Sequence, residues 1–279
     1  MNGKIFAIAG SDPSGGAGIQ ADIKTISALG GYGMAAITAL TVQNSLQVHD
    51  VYPVPADIVA AQVETVIEDI LPDAFKVGMM ATADTAKQLA RIFSDNHHIP
   101  LIIDPVILST SGHPLLETRG VEILLSDIFP LIDLLTPNLA EAALLADMGE
   151  ITTLSQMTQA GQKLLSLGPK AILVKGGHLP ERGDANSDSN SNTVPGTIVL
   201  TDLLVTEAGL YEFSSPRIRT NNTHGTGCTL ASAIATGIGQ GMTLTEAVAR
   251  GHKYVHKAIL QAPGFGRGHG PLNHLVTLD

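Results

Sequence analysis

Apolar positions along the chain fall into short unbroken runs separated by longer stretches of helical period. Residues 4–9 form a strand-like run, a glycine-rich break occupies 10–18, and Ile19, Ile23 and Ile26 then recur at helical spacing up to residue 29. That order is strand, glycine loop, helix. Residues 33–42 predict a second buried strand, and Val59, Val63, Val66, Ile67 and Ile70 mark an amphipathic helix. The runs at 75–79, 101–106, 131–135 and 171–174 predict further strands, and that at 101–106, with an acid toward its carboxyl end, is of the buried parallel type. Residues 197–200 and 209–213 predict a hairpin or edge pair. Leu230, Ile234 and Ile238 predict a helix entered from a loop at 222–229, and Leu244, Val248, Val255 and Ile259 a last long one. Between them, 180–195 is so poor in apolar groups that a mobile polar loop is expected, and 109–114 reads as a flexible connection. Strands alternating with helices, with no repeat or separating linker, predict one α/β domain over 1–279.

Composition narrows the function. A chain of 279 residues, 44% hydrophobic with 29 glycines, suits a large core joined by tight turns. The net charge of -10, the lack of Trp and an aromatic content of 4% argue against a nucleic-acid surface, so an anionic ligand must be held locally. One cysteine excludes an internal disulfide and a thiolate zinc site. The first residues resemble a strand rather than a secretory signal, and no apolar run is long enough to span a membrane, so a soluble cytoplasmic protein is expected.

Chemistry concentrates where the helix after residue 225 begins. In Asn222-Thr223-His224-Gly225-Thr226-Gly227-Cys228-Thr229-Leu230, small residues let the backbone turn into a helix whose first amides have no intrahelical acceptor, an anion site. Cys228 lies at that junction, where the same field would stabilise a thiolate near its ordinary value of about 8.5 or below. The plain alternative is a turn beside a small buried cysteine. The glycine loop at 10–18 fits neither G-x-G-x-x-G nor G-x-x-x-x-G-K-[ST]. Asp22, one turn into the first helix, faces either a pocket or solvent. Gln43-Asn44 suits either recognition of a heterocycle or an ordinary turn. Asp104 at a strand's carboxyl end is a candidate Mg²⁺ ligand. Asn138 and Glu141, three apart, are candidates for the nucleotide and for metal-bound water, or else a helix cap. Lys175 directly follows a buried run and is a plausible phosphate ligand.

Five stretches, 9–22, 39–44, Thr136-Pro137-Asn138, Val174-Lys175-Gly176-Gly177-His178 and the Thr-His-Gly-Thr-Gly-Cys run, together resemble the hydroxymethylpyrimidine/phosphomethylpyrimidine kinases, ribokinase-like enzymes of thiamine biosynthesis. The resemblance implies a three-layer α/β/α fold with a mostly parallel sheet and a homodimer. It also implies ATP-dependent phosphorylation of 4-amino-5-hydroxymethyl-2-methylpyrimidine and then of its monophosphate, with Mg²⁺ expected beside the ATP from the reading of Asp104. By the same resemblance Asp22 and Gln43 contact the pyrimidine, Gly10 and Val106 lie near its ring, and Lys175 meets ATP phosphates. The amides of Gly225, Thr226, Gly227 and Cys228 look like the anion hole, and Cys228 occupies the place where sugar kinases of the superfamily carry a catalytic aspartate, so it is expected to accept the hydroxyl proton. Two departures are visible: the polar segment at 180–195 is long, and Leu204-Val205-Thr206-Glu207-Ala208 lacks the family's Tyr-Asp-Gly turn. The rival readings are a pyridoxine/pyridoxal kinase and a nucleotide-binding regulator without catalysis.

Overall fold

The computed structural model describes residues 1–107, 115–177, 179 and 198–278. The expected polar loop at 180–195, the connection at 109–114 and His178 lie outside the described residues. Nine strands form one sheet: β1 (Lys4–Ser11), β2 (Tyr32–Gln43), β3 (Val48–Pro53), β4 (Ala74–Val77), β5 (Leu101–Ile103), β6 (Leu134–Leu135), β7 (Ala171–Val174), β8 (Val199–Thr206) and β9 (Gly209–Pro216). Their spatial order is β3-β2-β1-β4-β5-β6-β7-β8-β9. All pairings from β2 across to β7 are parallel, whereas β3, β8 and β9 add antiparallel edges. The hairpin expected near 197–213 is the long pair β8–β9, with Leu204 and Val205 inside the strand.

Alternation along the strands sorts the core into two layers. Ile5, Ala7 and Ala9 of β1, Ile102 of β5 and Leu173 of β7 face helices α1 (Gly18–Ala28), α7 (Thr226–Gly239) and α8 (Leu244–Leu260). Phe6, Ile8, Ile103 and Val174 face the opposite layer of α2 (Ala56–Asp69), α3 (Ala83–Asp95), α4 (Thr118–Ile123), α5 (Leu139–Leu145) and α6 (Leu154–Leu165). The result is the three-layer α/β/α arrangement that the sequence predicts. Strand β3 and helices α3, α4 and α6 lie between the stretches marked in the sequence.

Several predicted strands end early at their carboxyl side. Gly78 and Met79 leave β4, and Asp104, Pro105 and Val106 leave β5, because the chain there turns out of the sheet toward the cleft. Strand β1 pairs with β2 on one side and β4 on the other, so successive connections diverge to opposite faces at this point. Such a reversal opens a crevice at the carboxyl ends of the strands.

Candidate active site

That crevice gathers nearly every candidate residue. Ser11, Gln43, Asp104, Thr136 and Lys175 end or follow β1, β2, β5, β6 and β7, and the start of α7 closes the cleft from one layer. Two loops interlock beneath it. Gly225 adopts φ +81°, and a Cβ there would sit 1.8 Å from the Gly16 carbonyl oxygen, so only glycine fits. Asp12 accepts from the amides of Ser14 (2.8 Å), Gly16 (3.1 Å) and Ala17 (2.8 Å), from the Ser14 hydroxyl and from His224 Nε2 at 2.8 Å. Burial by itself would raise the Asp12 carboxyl, but His224 and the Ser14 donors outweigh it and bring it down to about 2. His224 also lies 3.5 Å from Gln43 Nε2, joining the two loops to the end of β2. The chain's last segment braces them: the His224 amide donates to Gly270 O (3.1 Å), the Arg267 and Gly268 amides donate to Ser45 Oγ, and His274 Nε2 meets Thr229 Oγ1 at 3.0 Å.

A line of buried charges runs behind these loops. Lys76 is a lysine in a strand otherwise apolar, and it faces the α1–α7 layer beside Ala74. Its Nζ donates to Asp22 Oδ1 at 2.8 Å, and both side chains are 0% exposed. Ser232 of α7 donates to the same oxygen at 2.8 Å, whereas Asp22 Oδ2 is buried without a hydrogen-bond partner. Of the two surroundings open to Asp22, solvent is therefore ruled out. Burial raises its carboxyl despite the neighbouring ammonium.

Cys228 contradicts the expected activated thiol. Its residue keeps intermediate exposure, yet the sulfur lies among Lys76, Asp22 and Asp104. Desolvation pushes the thiol up to about 11, with the two carboxylates adding to the effect and Lys76 and a hydrogen bond from the Gly18 amide opposing it. Burial, aided by the two carboxylates, thus outweighs the helix terminus at the thiol.

On the far side of Cys228, Asp104 Oδ1 accepts from Lys175 Nζ at 2.6 Å and from Thr136 Oγ1 at 3.2 Å. For Lys175, burial favours the neutral amine, but Asp104 and Glu141 prevail and raise its pKa. Asn138 and Glu141 do form a capping box: Asn138 Oδ1 accepts the Glu141 amide and Glu141 Oε2 the Asn138 amide, each at 2.9 Å. The plain alternative for this pair is therefore realised, while Glu141 also senses the charged cleft. Its carboxyl is raised to about 7, first by burial and further by Asp104, against Lys175. Asn44 likewise serves a turn, accepting from the amides of Leu46 and Gln47. Gly10 packs against Met79, where a Cβ would meet the sulfur at 3.2 Å, and Val106 is half-buried, its amide turned to Asp104 O at 2.8 Å.

At the start of α7 the amides of Gly227 and Cys228 have no acceptor among the described residues. A Cβ on Gly227 would meet Asp104 Oδ2 at 3.0 Å and Lys175 Nζ at 3.1 Å. Bare amides, an ammonium and a carboxylate thus share one small space, which suits a metal-bound phosphate. Among the described residues no three His, Cys, Asp or Glu side chains make a metal cage. Asp104, with Glu141 near it, fits a Mg²⁺ ion that takes only one or two carboxylates and completes its shell with phosphate oxygens and water.

A family model described as phosphomethylpyrimidine kinase matches residues 12–273. The chain belongs to the phosphomethylpyrimidine kinase family. As a kinase of that family it is a phosphotransferase. The hydroxymethylpyrimidine/phosphomethylpyrimidine kinase of Salmonella typhimurium is 42% identical over 271 residues, 96% of either chain. The thiamine biosynthesis bifunctional protein ThiED of Geobacter sulfurreducens is 41% identical over 277 residues, and the chain spans 53% of that longer protein. Among solved structures, a phosphomethylpyrimidine kinase from Clostridium difficile superposes with a TM-score of 0.76 at 36% identity, covering 92% of this chain and 99% of the other. An ADP complex of Bacillus subtilis pyridoxal kinase gives a TM-score of 0.85 at 30% identity and 98% coverage of both. Asp12, Lys76 and His224 join the candidate site through the contacts described above, although sequence alone assigned none of them a role. The one signal for Lys76 is a charge inside a buried strand, and for Asp12 and His224 their place within the two recognised motifs.

Proposed function

We propose that the chain transfers the γ-phosphoryl group of ATP to the hydroxymethyl oxygen of 4-amino-5-hydroxymethyl-2-methylpyrimidine, and then phosphorylates the resulting monophosphate, within thiamine biosynthesis. The observation that carries this reading is the space at Gly227, ringed by free amides, Lys175 and Asp104. In the transfer, a bond forms between the hydroxymethyl oxygen and phosphorus, the bond to the bridging oxygen of ADP breaks, and the hydroxyl proton passes to the thiolate form of Cys228. Lys175 and the bare amides of Gly227 and Cys228 hold the migrating group, while the Thr226 amide is taken by Thr223 O at 3.3 Å; Asn138 contributes to the nucleotide side, and Asp104 with Glu141 would hold Mg²⁺. That ion, when bound, neutralises charge on the phosphate oxygens. Asp22, through its unpartnered Oδ2, and Gln43 read the polar edge of the pyrimidine, with Gly10 and Val106 against its ring. The chain acts in the cytoplasm as a homodimer; half-exposed Leu40, Val42 and Tyr52 on the β2–β3 ribbon supply an apolar face for a second copy.

Placing the thiol at about 11 has a kinetic consequence. If Cys228 takes the proton, kcat should climb with pH through the alkaline range, as the thiolate fraction grows. Cys228→Ala should flatten that limb and lower turnover by about 10²-fold or more. A flat wild-type profile leaves Cys228 with its amide alone.

The close superposition on pyridoxal kinase favours a second substrate reading, a pyridoxal or pyridoxine kinase. Mass analysis of products from Mg²⁺-ATP with the pyrimidine, its monophosphate and pyridoxal in parallel separates the two. One and then two added phosphoryl groups on the pyrimidine are expected. Preference for pyridoxal would replace the substrate, and ATP binding without any product would leave a regulator.

A further inference from the structure

The turn carrying Lys175 has a support that the proposed chemistry does not use. The Lys175 amide donates to Pro137 O at 2.9 Å, and the next amide, of Gly176, donates to Asp202 Oδ1 at 2.8 Å. A Cβ on Gly176 would fall 1.9 Å from the Thr201 carbonyl oxygen, so the turn lies flush on β8. Asp202 shares the face of β8 that Leu204 presents to the α7–α8 layer, where a carboxylate interrupts an apolar surface. Its second oxygen faces His252 Nε2 of α8 at 3.6 Å, with the two side chains only 14% and 17% exposed. The His252 ring is in turn set against Phe213 of β9, with centroids 6.4 Å apart. Burial raises the Asp202 carboxyl, while His252, the Gly176 amide and Lys175 pull it down. The carboxylate is therefore aimed and held from three elements at the backbone of the Lys175 turn.

We propose that Asp202 is a positioning residue for Lys175: by gripping the Gly176 amide it fixes the turn that presents the ammonium to nucleotide phosphates. This deepens the kinase reading and rests on Lys175 being a phosphate ligand. The Gly176 N–H has no other acceptor among the described residues, so removing the carboxylate frees the turn while leaving the Asp104–Lys175 contact to hold the side chain alone. Asparagine keeps a carbonyl oxygen in the same place and preserves the grip.

The test is calorimetric titration of the whole protein with Mg²⁺ and the ATP analogue AMP-PCP, alongside thermal melting and the KM for the pyrimidine. Asp202→Ala is expected to weaken AMP-PCP binding about tenfold with little change in the pyrimidine KM, and Asp202→Asn to restore binding to within about twofold. Unchanged binding in the alanine variant, equal loss for nucleotide and pyrimidine, or an asparagine variant as weak as alanine would each overturn the assignment. Because the titration needs no acceptor substrate, a wild-type protein that binds AMP-PCP but phosphorylates nothing defeats the proposed function and leaves this result standing. Wild-type protein that does not bind the analogue removes the nucleotide reading beneath both.

Discussion

Gly227→Ala is expected to lower turnover by about 10²- to 10³-fold while moving the melting temperature by only a few degrees. The fold tolerates the change because Gly227 lies in the first turn of α7 with no positive φ, a place where alanine is the better helix former. The added methyl nevertheless projects to 3.0 Å from Asp104 Oδ2 and 3.1 Å from Lys175 Nζ. It takes up the room in which a phosphoryl group must approach the amides. Steady-state kinetics and a melting curve on the same preparation decide the matter. Turnover like the wild type's would remove the α7 terminus from the mechanism, since no phosphate then needs that space.

The largest loss of stability is expected from Lys76→Met. Removing one member of a fully buried ion pair leaves the other charge uncompensated, at a cost of about 3–5 kcal/mol. Asp22 would keep only the Ser232 hydroxyl on Oδ1, and its Oδ2 has no partner to begin with. The double change Lys76→Met with Asp22→Asn should recover much of the loss, because the orphaned charge is gone. Denaturant unfolding of the two single variants and the double variant closes the cycle. A Lys76→Met protein as stable as the wild type would mean that Asp22 is already neutral in the native state, so that no ion pair exists to break.

These two residues also mark the limit of what the chain discloses by inspection. Strand β7 was legible to the residue, 171–174, because its apolar run is bounded by Pro169-Lys170 and by Lys175-Gly176. The capping box of Asn138 and Glu141 was legible too, since both members lie within one turn. Strand β3 was not: Val48-His49-Asp50-Val51-Tyr52-Pro53 is largely exposed and carries no buried stripe to reveal it. The pairing of Lys76 with Asp22 spans 54 positions and that of Asp12 with His224 spans 212, so nothing local announces either. Cys228 shows the effect most sharply. Its position at a helix start was plain, but its protonation depends first on burial and then on Asp22 and Asp104, which only the tertiary fold brings about.

The bracing of the glycine loop by residues far along the chain bears on the order in which the enzyme is made. Strand β1 pairs with β2 and β4, all within residues 4–77, so this side of the sheet finds its partners close by in sequence. The imidazole that clasps Asp12 and the hydroxyl that shares Asp22 are synthesised 212 and 210 residues after their partners. A polypeptide cut short before His224 would therefore carry both sheet partners of β1 yet leave Asp12 without its imidazole.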